Sequence, residues 1–170
     1  MNLVLVGYRG TGKSVIARRL ARMLGLRVVS LDSEIVRLAG KRIPDLVAER
    51  GWDHFRDLEE QICRRFAAQD GQILDCGGGV VERESNVAAL REHGRVFWLT
   101  ATPTTIVARI GRNSSRPSLT GEKSFTEEVS EVLQRRTPLY RAVAHEVIDT
   151  DGRTQDDIAS EIARRWRGGG

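Results

Sequence analysis

Short apolar runs alternate with longer amphipathic stretches along the chain, and that alternation predicts its elements. Asn2–Val6 (NLVLV) is an apolar, β-rich run that ends at Gly7. Lys13–Leu24 carries apolar residues at Val15, Ile16, Leu20, Met23 and Leu24, the spacing of one helix face, and Gly25 stops it. Arg27–Ser30 predicts a second strand, and Asp32 is expected to cap a helix over 32–38. Helices are predicted over 43–49, with Pro44 in the first turn, and over 53–68. Gln72–Asp75 predicts a third strand, broken by CGGGV, and a helix follows over 82–92. A fourth strand is predicted over 95–100, then a helix over 102–110 with Thr102 as N-cap and Pro103 at its first position. The polar stretch 113–124 predicts a loop, and Phe125–Val143 a helix broken near Thr137-Pro138. Glu146–Asp149 predicts the fifth strand and 154–166 the last helix. Strands alternating with helices imply an α/β fold, a five-stranded parallel sheet covered on both faces in three α/β/α layers.

At 170 residues the chain is expected to form one domain with a single sizeable core. A net charge of +4, supplied mostly by arginine, raises the question of nucleic acid. The arginines are scattered except in the tail ARRWRGGG, which suits a small anionic ligand better, so no nucleic-acid partner is expected. Residues 165–170 of that tail are expected to be disordered. Cys63 and Cys76 show no metal-ligand spacing and are expected to be reduced, buried thiols of a cytoplasmic protein. No signal peptide is expected at MNLVLVG, and no apolar run approaches the roughly 20 residues of a membrane span.

The segment GYRGTGKS, from Gly7 to Ser14, matches G-x-x-x-x-G-K-[ST] in full and lies between a predicted strand and a predicted helix. Glycines let such a loop turn several backbone N–H groups inward, and the following helix adds its partly positive N-terminus. Gly10, Thr11, Gly12, Lys13, Ser14 and Val15 are therefore expected to hold ATP, with Lys13 on the outer phosphates and the Ser14 hydroxyl on Mg²⁺. No N-K-x-D follows to read guanine, and the chain is short for a mechanical ATPase, so a small kinase is the leading class.

Five later stretches name an acceptor: SLD, GWDHFRDLE, CGGGVV, RIGRNSSRP and RRTPLYR. In this order and at these spacings the chain resembles shikimate kinase, within the nucleoside-monophosphate-kinase-like P-loop group, over about residues 2–160. The resemblance implies transfer of the ATP γ-phosphate to the 3-hydroxyl of shikimate, with Mg²⁺, by a monomer. It implies that Arg56 and Arg141 hold the acceptor carboxylate, that Asp32 holds ring hydroxyls and orients or deprotonates the nucleophile, and that Gly77, Gly78 and Gly79 approach the ring. It also implies a mobile lid over about residues 112–124, from which Arg116 reaches the phosphates, while Arg109 lies along the adenine. Asp151-Gly152-Arg153 is assigned to the adenine pocket. Other acceptors, such as gluconate or a nucleotide, remain alternatives, since Trp52 replaces the family's usual Glu, and a weakly catalytic nucleotide-binding regulator remains one on the strength of Ser30 alone; Ser118 replaces the family's usual Leu and is expected to alter lid packing and not chemistry.

One departure concerns the metal. The family usually ends its second strand D-x-D, which falls here on Ser30 and Asp32. The acid that usually sits near Mg²⁺ is therefore missing. Asp75 ends the third strand, where the family usually has a small or apolar residue. It is expected either to replace that carboxylate in the outer shell of Mg²⁺ or to hydrogen-bond the glycine turn or the P-loop.

Overall fold

The computed structural model describes residues 1–111 and 125–169. Five parallel strands, β1 (Asn2–Val6), β2 (Arg27–Ser30), β3 (Gln72–Asp75), β4 (Gly94–Thr100) and β5 (Glu146–Asp149), form one sheet in the order β2-β3-β1-β4-β5. The chain runs from β1 out to β2, returns to β3 beside β1, and crosses β1 to reach β4 and β5. All four pairings are parallel, with Leu5 opposite both Asp75 and Phe97.

The strands are nearly continuous apolar runs because both faces are buried. Alternation sorts the side chains. Leu3 and Leu5 of β1 join Phe97 and Leu99 on one face, covered by α1 (Lys13–Leu24) and α7 (Gln155–Gly168) through Ile16, Leu20, Ile158 and Ile162. Val4 and Val6 face the other way, into a core with Ile35, Phe55, Ile62 and Tyr140. These come from α2 (Leu31–Ala39), α3 (Ile43–Ala67) and α6 (Phe125–Val143). A 3-10 turn at Val80–Glu82 and α4 (Glu84–His93) follow β3, and α5 (Pro103–Ile110) follows β4. All strands therefore point their carboxyl ends to the same edge, where an open parallel sheet places its ligands.

Three local expectations need correction, and one holds. The cap of α2 is Ser30, whose Oγ accepts from the Ser33 N–H at 3.3 Å; Asp32 stands inside the first turn, at the mouth of the site. The two helices expected over 43–68 are present as two segments of α3, parted at Gly51, whose φ of 84° and ψ of 170° are not helical. α6 does not break at Thr137-Pro138. An interior proline costs about 3 kcal/mol, but burying a Val-sized side chain returns about 1.5–3 kcal/mol, and Val132, Tyr140 and Val143 are all buried along this helix. The tail is helical as far as Gly168, and Arg165 is tied to Glu146 at 2.7 Å and Glu161 at 2.5 Å.

Candidate active site

The phosphate loop joins β1 to α1. Gly10 and Gly12 hold φ of 83° and 91°, which a Cβ would strain, and Gly12 stands at the N-terminus of α1 with no side chain between the ligand space and the helix N–H groups. Thr11 Oγ1 donates to Tyr8 O at 2.8 Å and closes the loop on itself. The Lys13 amine, largely buried, donates to Gly7 O at 2.7 Å and Tyr8 O at 3.0 Å, so the loop's own carbonyls hold it in the cradle. Ser14 Oγ donates to Asp75 Oδ2 at 2.7 Å. Burial pushes the Asp75 carboxyl up from its ordinary value, while this hydrogen bond and the Lys13 charge pull it down.

A cavity of about 520 Å³ opens over the loop and is lined by Gly12, Lys13, Ser14, Val15, Asp75 and Arg109 among others. Arg109 of α5 reaches across to it, donating to Gly10 O at 3.1 Å and Thr150 Oγ1 at 3.4 Å. Arg153 does not line this cavity; it pairs with Glu161 at 2.6 Å and donates to Asp149 O at 3.1 Å. Asp151 accepts from the Thr102 N–H at 3.1 Å, tying the ends of β4 and β5 together. Arg116, Ser118 and the whole expected lid lie outside the described residues.

A second cavity of about 270 Å³ adjoins the first, and Asp32, Gly77 and Gly78 line both. Its walls carry charge from three helices: Asp32 from α2, Arg56 and Glu59 from α3, and Arg136 from α6. The triple glycine after β3 lets them converge. A Cβ on Gly77 would lie 2.7 Å from Asp32 Oδ1, one on Gly78 would lie 3.3 Å from an Arg136 nitrogen, and one on Gly79 would overlap the Arg56 guanidinium.

Each arginine is braced from behind. Arg56 donates to Glu59 Oε1 at 2.8 Å and lies 5.5 Å from the Trp52 ring and 5.2 Å from the Phe55 ring. Arg136, 4% exposed, donates through Nε to Glu82 Oε1 at 2.7 Å and sits 5.8 Å over the Tyr8 ring. Tyr140, one turn further along α6, donates to Gly78 O at 2.5 Å and pins the glycine turn. Burial drives the Tyr140 hydroxyl up to about 12, so it acts as a donor. Glu59 is 1% exposed, and its Oε2 has no hydrogen-bond partner among the described residues. Burial raises its carboxyl above the ordinary range against the opposing pull of Arg56.

Two adjoining cavities, one lined by a phosphate loop and one by paired cations with a bordering acid, suit transfer of a phosphoryl group to a small anionic acceptor. The sequence model of the shikimate kinase family matches residues 9–167. The chain belongs to the shikimate kinase family. The shikimate kinase of Nitratidesulfovibrio vulgaris is 43% identical over 150 residues, covering 86% of this chain and 85% of that protein. That of Persephonella marina is 36% identical over 166 residues, covering 98% and 99%. Among solved structures, the shikimate kinase from Acinetobacter baumannii in complex with shikimate matches with a TM-score of 0.93 and 31% identity, covering 99% of this chain and 93% of that one.

Within this family fold, the arginine that the chain brings into the second cavity from α6 is Arg136. Arg141 is exposed and lies 6.0 Å from the Trp98 ring, outside the cavity lining. Helical spacing carried the signal. Val129, Val132, Arg136, Tyr140 and Val143 mark one buried face at steps of three and four, and a break placed at Pro138 hides it. Glu59 stands as an acid on the apolar face of α3 with Phe55, Ile62 and Cys63, a pattern that marks its burial and not its role. As for a metal, Ser14 and Asp75 offer hard oxygen donors to the loop cavity, which suits Mg²⁺. Among the described residues no group of three or more His, Cys, Asp or Glu could hold an ion. Mg²⁺ commonly takes one or two protein oxygens together with phosphates and water.

Proposed function

We propose that this chain is an ATP-dependent shikimate kinase that phosphorylates the 3-hydroxyl of shikimate, releasing ADP and shikimate 3-phosphate. The observation that carries the reading is the convergence of Arg56 and Arg136 on one cavity that shares Asp32, Arg9, Gly77 and Gly78 with the phosphate-loop cavity. A ring with one carboxylate and three hydroxyls needs planar cations for the first and an acid for the second. Arg56 and Arg136 meet the carboxylate by forked hydrogen bonds. Asp32 accepts from the ring hydroxyls and directs the reacting oxygen at the γ-phosphorus. As that oxygen bonds to phosphorus, the bond to the β–γ bridging oxygen breaks, ADP leaves, and the hydroxyl proton passes to Asp32. Gly77, Gly78 and Gly79 leave room for the ring against the strand end.

On the donor side Gly10, Thr11, Gly12 and Val15 give backbone N–H groups to the phosphates, and Lys13 turns from Gly7 O and Tyr8 O onto the outer ones. Ser14 would hold the Mg²⁺ that accompanies ATP, and the ion would supply positive charge against the charge that develops in transfer. Arg109 lies along the adenine. The role expected of Arg116 on the transferring group falls outside the described residues. A monomer is the reading for a kinase of this size, and two free buried cysteines support a cytoplasmic setting. Among the described residues no helix is long and apolar enough to cross a membrane.

A coupled ADP-release assay with ATP, Mg²⁺ and a panel of acceptors tests the reading. Release is expected with shikimate, and at least 100-fold less at equal concentration with gluconate or a nucleoside monophosphate. Comparable release with either of those would overturn the acceptor assignment.

A further inference from the structure

We infer that Asp75, at the end of β3, serves Mg²⁺ in this chain, at the strand end beside the one where β2 offers Ser30. The inference rests on the ATP-kinase reading above and adds to it which residue answers for the metal. Ser30 and Asp75 are direct register partners in the parallel β2–β3 ladder, both at the carboxyl edge. Neighbouring strands lie about 4.8 Å apart, and paired residues in a parallel ladder point to the same side. A carboxylate at either position therefore serves nearly the same space. Ser14, Ser30 and Asp75 all line the phosphate-loop cavity.

Two further observations separate Asp75 from Ser30. Asp75 is 6% exposed and already engages the loop hydroxyl, accepting from Ser14 Oγ at 2.7 Å. With the Ser14 proton committed to Asp75, the hydroxyl's lone pairs are left for a cation beside the phosphates. The carboxylate also has a second oxygen for a metal-bound water. This is the pairing that phosphate-loop enzymes use when a loop hydroxyl and a strand-end Asp hold Mg²⁺ together. Ser30 is occupied differently, as the N-cap of α2 through Ser33 N. The acid and the cap have been divided between two adjacent strand ends.

The test titrates the full chain with a fluorescent ADP analogue in Mg²⁺ and in EDTA, and takes the ratio of the two affinities. Wild type is expected to bind at least 10-fold more tightly with Mg²⁺. In Asp75→Asn, which keeps an oxygen acceptor for Ser14, the ratio is expected to fall below 3. Ser30→Asp in that background is expected to return it to within 3-fold of wild type. If Asp75 only shapes the loop, Asp75→Asn weakens ADP equally in both conditions and leaves the ratio intact, which overturns the inference. A double variant that does not recover overturns the exchange between strands. Asp75→Ser, with a smaller hydroxyl partner for Ser14, gives the same reading should the Asn variant not fold. Wild type that binds no ADP in either condition would instead overturn the kinase reading itself.

Discussion

The phosphate loop takes its groups from one stretch, Gly7 to Ser14, and most of them are backbone N–H groups on a turn and a helix end. The acceptor cavity takes Asp32 from α2, Arg56 and Glu59 from α3, glycines from the β3 turn and Arg136 from α6. The first arrangement relies mostly on peptide dipoles, and its largely buried Lys13 amine is held by the loop's own carbonyls. The second packs ion pairs where water is scarce, with Arg136 4% and Glu59 1% exposed. Removing one partner of a buried pair strands the other and costs about 3–5 kcal/mol. The comparison teaches that donor-side changes should damage turnover with little effect on folding, whereas acceptor-side changes should damage both.

The largest expected effects test this division directly. Lys13→Ala should lower kcat about 10³-fold, the scale of losing one preorganised charge at a developing anion, with a melting temperature close to wild type. Arg136→Ala should raise the KM for shikimate about 100-fold, equivalent to roughly 3 kcal/mol, lower the melting temperature, and leave the KM for ATP within about threefold. Arg141→Ala should change neither KM more than about twofold. Steady-state kinetics with both substrates and thermal unfolding of the apo protein supply these readings. A strong shikimate defect in Arg141→Ala with a weak one in Arg136→Ala would reverse the assignment of the carboxylate site.

A smaller and more pointed effect comes from Glu59. Its carboxyl is raised from 4.5 by burial, so above that pH the folded state holds the proton more tightly than the unfolded state. Stability then falls as pH rises from 4.5 through the raised folded value. Glutamine cannot titrate and escapes this penalty. The melting temperature of Glu59→Gln minus that of wild type should therefore become more positive as pH rises from about 4.5 toward neutrality. Asp75 is raised in the same direction, but it is present in both proteins and cancels in the difference. The same variant should bind shikimate more weakly, because Glu59 braces Arg56. A difference in melting temperature that stays flat with pH would mean that the ionised Glu59 carries no burial penalty.

How much of this was legible in the sequence follows the same division. The phosphate loop could be found whole because its groups are contiguous and its glycines are required by backbone geometry. The strands could be placed because a buried parallel strand shows an unbroken apolar run. The acceptor cavity was half legible. Arg56, Asp32 and the three glycines stand in short motifs, but Arg136 had to be chosen from three arginines in RRTPLYR. That choice depends on helix phase across Pro138, and packing of α6 against the core overrides the local signal to break. Glu59 needs a contact between α3 and the β3 turn, so no local pattern states its function. Arg153 was placed by its proximity to a strand end, while its side chain follows Glu161.

The smallest predicted effect lies on the border between the two regions. Ser30 accepts from Ser33 N at 3.3 Å, a long capping bond in an exposed setting. N-caps contribute about 0.5–2 kcal/mol, and this geometry puts Ser30→Ala near 0.5 kcal/mol. For a chain of this size that lowers the melting temperature by only about 1–2 °C. Ser30→Asp keeps a capping oxygen and adds a negative charge at the N-terminus of α2, which the helix dipole favours, so its melting temperature should equal or exceed that of wild type. Thermal unfolding of the two single variants measures both. If Ser30→Asp is as stable as expected, any recovery of Mg²⁺ dependence it brings to Asp75→Asn reports on the metal and not on a repaired helix. If it unfolds earlier than Ser30→Ala, an added carboxylate beside Asp75 is repelled there, and the two strand ends cannot both carry an acid in the apo protein.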